Sequence, residues 1–198
     1  MKNYKLVLAS SSEYRKVLLE KLHLSFICAT PNIDESAQAS ETAQEQALRL
    51  AKQKAHALAS IYPKHVIIAA DQVAMLGNSQ LHKPGNQENA IRQLQKSSGK
   101  RIKFYTGICV LDTTTMSYKL DIDICSVYFK ELSTHEIKNY VLLEQPYNCA
   151  GSFKSEGLGI ALFKRIESDD PNALIGLPLI KLIGLLETFN INVLAQAS

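Results

Sequence analysis

With 198 residues, 46% hydrophobic and 21% charged, the chain fits one globular domain over 1–198, with one or two lobes. A net charge of +3 is too small to argue for a duplex-binding surface, so no nucleic-acid partner is expected, although it suits a small anionic ligand. Four dispersed cysteines and five scattered histidines, with no C-x-x-C, H-x-H or i,i+4 histidine pair, argue against a disulfide framework and against a zinc site.

The opening apolar run is too short for a signal sequence, and Pro178 and Lys181 break the apolar stretch from Ala173 to Leu186. No membrane contact and a cytoplasmic location are expected. Lys5–Ala9 reads as a short buried strand, followed by SSSEYR and a helix with Val17, Leu18 and Leu22 at helical spacing. Leu24–Cys28 reads as a second strand, and Pro31–Glu41 as a polar loop containing Asp34 and Glu35. Thr42 with Glu45 forms a capping box, opening a helix to about Ser60.

Val66–Ala70 is a β-branched apolar run that ends at Asp71, as a buried strand would. LHKPG interrupts the chain before a helix near Glu88–Leu94, and strands are predicted at Ile102–Leu111 and Tyr118–Phe129. Ser133 with Glu136 caps a helix ending before Pro146, Gly159–Ile166 reads as a last strand, and Pro178 falls in the first turn of a final apolar helix. The exposed face of that helix is a candidate homodimer surface. Strands and helices mix without strict alternation, so the fold class is α/β with a mixed sheet and flanking helices. Three of the four cysteines lie in strand-like stretches and read as reduced core residues.

Four places could carry chemistry. Lys54 stands in the apolar stripe of its helix, with Ala47, Leu50, Ala51 and Leu58 around it; it either snorkels or faces an acid or a ligand. Asp71 lies where open α/β sheets place ligands, or is a solvated strand end. Ser10, Ser11 and Ser12 before a helix carrying Arg15 form either an anion site or a plain serine cap. CAGSFKSEGLG, from Cys149 to Gly159, is a loop able to approach a flat ligand, or a generic turn. Asp121 and Asp123 alternate with Leu120, Ile122 and Ile124 and read as the solvent-facing edge of a strand. P-loop, dinucleotide and nucleophile-elbow patterns are missing.

The ordered set LASSSEYR, IDES, RLAKQKA, AADQV, HKP, CAGSFKSEGLG and IGLPLIKL resembles the Maf family over nearly the whole chain. The resemblance implies an ITPase-like fold with a cleft between two lobes. It also implies hydrolysis of a nucleoside triphosphate between the α and β phosphorus atoms, with Mg²⁺ or Mn²⁺ as cofactor. By that resemblance Ser10 and Arg15 hold phosphate oxygens, Glu35 and Asp71 are metal ligands, and Asp71 is the proton acceptor. Lys54 and Lys83 offset phosphate charge.

Tyr14, Gln72 and Glu156 are similar to the branch of the family that prefers 7-methyl-GTP, where dTTP- and UTP-preferring members carry Arg, Thr and Gln. A carboxylate at Glu156 can accept the two N–H donors of guanine, and a methylated, cationic base favours an aromatic face such as Tyr14. Glu13, Tyr14 and His82 stand where the resemblance leads one to expect Pro, Trp and often Gly. The alternatives are a dTTP/UTP or broad-specificity pyrophosphatase, and a non-enzymatic regulator of septum formation.

Overall fold

Strand parity explains most of the architecture. In the computed structural model, which describes residues 5–196, strand β1 (Leu6–Ala9) is buried on both faces. Leu6 and Leu8 join one apolar cluster; Val7 and Ala9 join the other. The chain continues through α1 (Glu13–Glu20), β2 (Phe26–Ala29), α2 (Ala43–Ala57), β3 (Val66–Leu76), β4 (Ser79–Leu81) and α3 (Gln87–Ser97). Then come β5 (Arg101–Asp112), β6 (Ser117–Phe129), α4 (Thr134–Glu144), β7 (Phe163–Glu167) and α5 (Leu179–Thr188). The strands hydrogen-bond in the order β2-β1-β3-β5-β6-β7, with β4 on β3. β1 is parallel to β2 and β3, whereas β4 and β7 pair antiparallel, so the sheet is mixed as expected.

The chain divides into two compact units. The first comprises the described residues up to Gln72, Thr106–Asp123 and those from Asp170 onward; the second comprises Val73–Tyr105 and Ile124–Asp169. In the first unit, Leu18 and Leu19 of α1 and Leu182, Leu185 and Leu186 of α5 share a cluster with Leu6, Leu8, Val66, Ile68 and Ala70. Ala51 and Ala55 of α2 share another with Val7, Ala9, Ile67, Ala69 and Cys109. α2 lies so close to β5 that a Cβ at Gly107 would sit 2.5 Å from the carbonyl oxygen of Ala47.

In the second unit four phenylalanines interlock edge to face. Phe153 lies 5.5 Å from Phe104, 5.7 Å from Phe129 and 4.8 Å from Phe163, between ring centroids.

Both capping boxes form as read, at Thr42 with Glu45 and at Ser133 with Glu136. Several local expectations need correction. β3 does not end at Asp71 but runs on to Leu76, because Val73 and Ala74 are buried again beyond the polar pair. Leu158–Leu162 is a 3₁₀ turn rather than strand; Gly159 lies too close to the Lys154 carbonyl for a side chain, and β7 starts only at Phe163. Pro178 precedes the first turn of α5 as its N-cap.

Among the described residues no two cysteines form a disulfide, but only Cys109 and Cys125 are core residues, and burial pushes the Cys109 thiol up to about 12. Cys28 is exposed on the edge strand β2. The expected solvent edge at Asp121 and Asp123 is reversed in part. Asp123 is buried with Cys125 and Val127, Asp121 pairs with Lys181 of α5 at 3.4 Å, and Leu120 and Ile124 are the exposed positions.

The close approach at Gly107 yields a test. Gly107→Ala is expected to lower stability by about 1–3 kcal/mol, as overpacking does, and to displace α2 from the sheet. Urea midpoints measure the loss; an unchanged midpoint would contradict this packing.

Candidate active site

On β3, Ile67 and Ala69 face α2, so by parity Asp71 faces α2 as well. There it meets Lys54, the lysine that stands in the apolar stripe of α2. Both residues are 7% exposed. Lys54 Nζ lies 2.5 Å from Asp71 Oδ1 and 2.7 Å from Glu35 Oε1. Lys54 therefore does not snorkel to water; it bridges two carboxylates.

Glu35 comes from the acidic loop, and that loop is tied to α2 by a residue the sequence did not single out. Arg49 forks onto Glu41, with Nε 2.5 Å from Oε1 and Nη2 2.7 Å from Oε2, and Nη2 also donates to the Ser36 carbonyl at 3.1 Å. This fork holds the Glu41 carboxyl below the usual carboxylate range. Asp34 accepts from the Ser36 N–H at 2.9 Å, which tightens the same turn.

Ser10 follows the end of β1, while Asp71 lies within β3, and both come shortly after the Leu8–Ile68 pair of these parallel strands. Ser10 is 7% exposed and its Oγ accepts from the Ser12 N–H at 3.1 Å. Ser12 then caps α1 by accepting from the Arg15 N–H at 3.4 Å. The serine run is thus a cap, but Arg15 is not the solvated side chain that a plain cap would leave. It is half-buried, its Nε donates to the Gly176 carbonyl at 2.9 Å, and its charge acts on Asp71. A Cβ at Gly176 would lie 3.3 Å from Arg15 Nε, and that residue sits at φ +120°. Tyr14, one residue before Arg15, is 36% exposed.

Gln72 has the opposite parity to Asp71. Its Nε2 donates to the carbonyls of Ala173 and Leu174 at 3.0 and 3.2 Å and to Thr106 Oγ1 at 3.0 Å. Two of those partners can only accept, which fixes the amide orientation and leaves Oε1 with no hydrogen bond from the described residues. Asp170, fully buried, braces the same turn by accepting from Asn172 N and from Ile180 N at the start of α5.

Lys83 and Glu156 belong to the second unit, and both are exposed. The glycine loop carrying Glu156 is not a generic turn. Glu144 Oε1 accepts from Leu158 N at 2.7 Å, Lys154 Nζ donates to the Glu144 carbonyl at 2.5 Å, and Lys154 N donates to Tyr140 Oη at 2.9 Å. A Cβ on Gly159 would come within 2.2 Å of the Lys154 carbonyl oxygen, so only glycine fits there.

Burial raises the Asp71 carboxyl above its ordinary value; Lys54 and Arg15 oppose the shift and Glu35 adds to it. Burial likewise lowers the Arg15 guanidinium, against the pull of Asp71 and Glu35. Lost hydration therefore outweighs the attraction within the cluster. Arg49, Glu41, Glu144 and Lys154 were missed by sequence reasoning; Arg49 and Lys154 lie inside quoted motifs, while the two glutamates carry no local signal.

The model for Maf-like protein matches residues 5–189, and the chain belongs to the Maf family. A protein of Colwellia psychrerythraea named 7-methyl-GTP pyrophosphatase is 54% identical over 193 residues, covering 98% of this chain and 96% of that one. One of the same name from Alcanivorax borkumensis is 53% identical over 175 residues, covering 88% and 89%. Among solved structures, the Staphylococcus aureus Ham1 protein superposes with a TM-score of 0.50 at 16% identity, covering 94% of this chain and 97% of that one, a likeness of fold.

A raised native pKa makes the Asp71 contribution to stability complete below the unfolded value of 3.8 and lost as pH rises through the native value. Wild-type stability relative to Asp71→Asn is therefore expected to fall as pH climbs out of the usual carboxylate range, then to level off. Urea midpoints across that range decide it; a difference moving in favour of wild type with rising pH would show that the carboxyl is not raised.

Proposed function

We propose that the chain is a nucleoside triphosphate pyrophosphatase that hydrolyses 7-methyl-GTP to 7-methyl-GMP and pyrophosphate, a house-cleaning reaction on a modified nucleotide in the cytoplasm. The single observation that carries the reaction class is the buried Lys54 ammonium between Asp71 and Glu35, at 2.5 and 2.7 Å. The substrate reading rests on relatives of that name at 53–54% identity over most of both chains. A division regulator without turnover has no use for a costly buried charge cluster.

Water adds to phosphorus as the α–β anhydride bond breaks, the leaving pyrophosphate takes the electron pair, and one proton must be accepted. Asp71 is the acceptor in this reading. A carboxyl raised by burial is a stronger base than one in water, and it is restrained by Lys54. Arg15, Lys54 and Lys83 offset the negative charge of the phosphate oxygens, and Ser10 offers a hydroxyl to them.

A divalent cation, Mg²⁺ or Mn²⁺, fits the donor set. Among the described residues no group of three or more His, Cys, Asp or Glu gathers to hold a metal. Magnesium, however, is commonly bound through one or two carboxylates together with substrate phosphates, and Glu35 and Asp71 already converge on one cation. When bound, the ion would polarise phosphate oxygens; Glu35 and Asp71 would hold it.

Base choice falls to acceptors. Glu156 accepts the N1–H and N2–H of guanine, the Gln72 amide oxygen adds a further acceptor, and Tyr14 offers a π face to a cationic base. Among the described residues no helix is long and apolar enough to cross a membrane.

Pyrophosphate release from a nucleotide panel, with Mg²⁺ or Mn²⁺ and with EDTA, tests this reading. Release is expected to be strongest on 7-methyl-GTP and to be abolished by EDTA; release confined to dTTP or UTP would overturn the substrate. The pair Gln72→Thr and Glu156→Gln is expected to shift preference toward pyrimidines by at least about tenfold, in keeping with the roughly 1.5–3 kcal/mol of a hydrogen bond to a charged group. An unchanged preference ratio would remove both residues from base selection.

A further inference from the structure

Gln93, on α3, lies outside every motif quoted above, yet both ends of its amide are engaged. Nε2 donates to the carbonyl of His82 at 2.9 Å, and Oε1 accepts from Ser152 Oγ at 2.8 Å. The His82 carbonyl can only accept, which fixes the orientation of the amide. One side chain thus joins the turn carrying Lys83 to the loop that leads to Glu156. A second link lies alongside, from the Gly85 N–H to the Tyr147 carbonyl at 3.0 Å. All of these residues belong to the second unit.

Two features make the link stiff. Ser152 is a non-glycine residue at φ +64°, a conformation that a serine keeps only when its surroundings enforce it. Gly151 before it sits at φ +77°, and a Cβ there would lie 3.3 Å from both Phe104 and Phe153. Beyond Ser152, the bonds from Lys154 to Tyr140 and Glu144 and from Leu158 to Glu144 fasten the segment on both sides of Glu156. A shift at Ser152 has little slack in which to dissipate before it reaches Glu156.

We infer that Gln93 is a positioning residue that locks the Lys83 turn to the glycine loop, so that phosphate neutralisation and base selection share one amide; this rests on the function proposed above. Gln93 touches neither substrate nor reacting atoms and acts through the two segments that it joins.

Three variants separate its arms. Gln93→Met keeps the length and removes both bonds. Gln93→Glu keeps the acceptor for Ser152 but sets a carboxylate oxygen against the His82 carbonyl. Ser152→Ala cuts only the loop arm. Amide hydrogen exchange of the nucleotide-free protein is followed in residues 82–85 and 150–158, beside kcat and KM on 7-methyl-GTP and UTP.

Gln93→Met is expected to speed exchange in both segments and to lower the 7-methyl-GTP to UTP preference about tenfold, well within what a 1 Å misplacement can cost. Gln93→Glu should speed exchange in 82–85 and lower kcat alike on both nucleotides. Ser152→Ala should act on 150–158 and on the preference alone, and adding it to Gln93→Met should change nothing further. A Gln93→Met protein that loses thermal stability but keeps wild-type preference and kcat overturns the inference, as does exchange unchanged in either segment. If Gln93→Met does not fold, Gln93→Glu and Ser152→Ala carry the same test. A wild type that turns over no nucleotide defeats the functional reading, while the exchange data still judge the lock.

Discussion

A lysine ammonium buried between two carboxylates is the constraint around which the first unit is built. An isolated charge in that position would be prohibitive, and the cluster persists because each member answers another. Strand parity turns Asp71 toward α2, helical spacing points Lys54 back at β3, and the Arg49 fork on Glu41 holds the loop that brings Glu35 to the pair. The compensation is incomplete, since burial still raises Asp71 and lowers Arg15. Titratable groups shifted by burial and held by specific charged partners are a mark of functional sites.

The same strand divides its labour by parity. Asp71 looks to α2 and to charge, while Gln72, one residue on, grips the turn before α5 through two carbonyls and β5 through the Thr106 hydroxyl. That turn is also where the Gly176 carbonyl receives Arg15 and where Asp170 caps α5. Two adjacent polar residues in an otherwise buried strand are tolerated because both are satisfied by distant segments. In the second unit the glycine loop is held by comparable means, through Glu144, Lys154 and Gln93.

Much of this was legible in the sequence where the signal is local. Thr42 with Glu45 and Ser133 with Glu136 mark helix starts, and the apolar neighbours of Lys54 mark it as anomalous without reference to any partner. Where partners are far apart in the chain, the reading failed. β3 read as ending at Asp71 because nothing nearby shows that Lys54 and the Ala173 carbonyl satisfy its polar pair. Asp123 read as solvated because alternation alone does not say which face is covered. Gly159–Leu162 read as strand because a close approach to the Lys154 carbonyl leaves no periodic trace. Gln93, whose partners lie 11 and 59 residues away, had no sequence signal.

The proposed role of the buried Asp71 carboxyl, restrained by Lys54, is to accept the proton in pyrophosphate release. Its most direct test is the single-turnover rate on 7-methyl-GTP of wild type beside Asp71→Asn, an isosteric change that removes the base, with near-ultraviolet circular dichroism confirming an unaltered fold. The account predicts a loss of at least about a hundredfold, the lower end of what general-base catalysis supplies. A folded Asp71→Asn protein that releases pyrophosphate at the wild-type rate would contradict it.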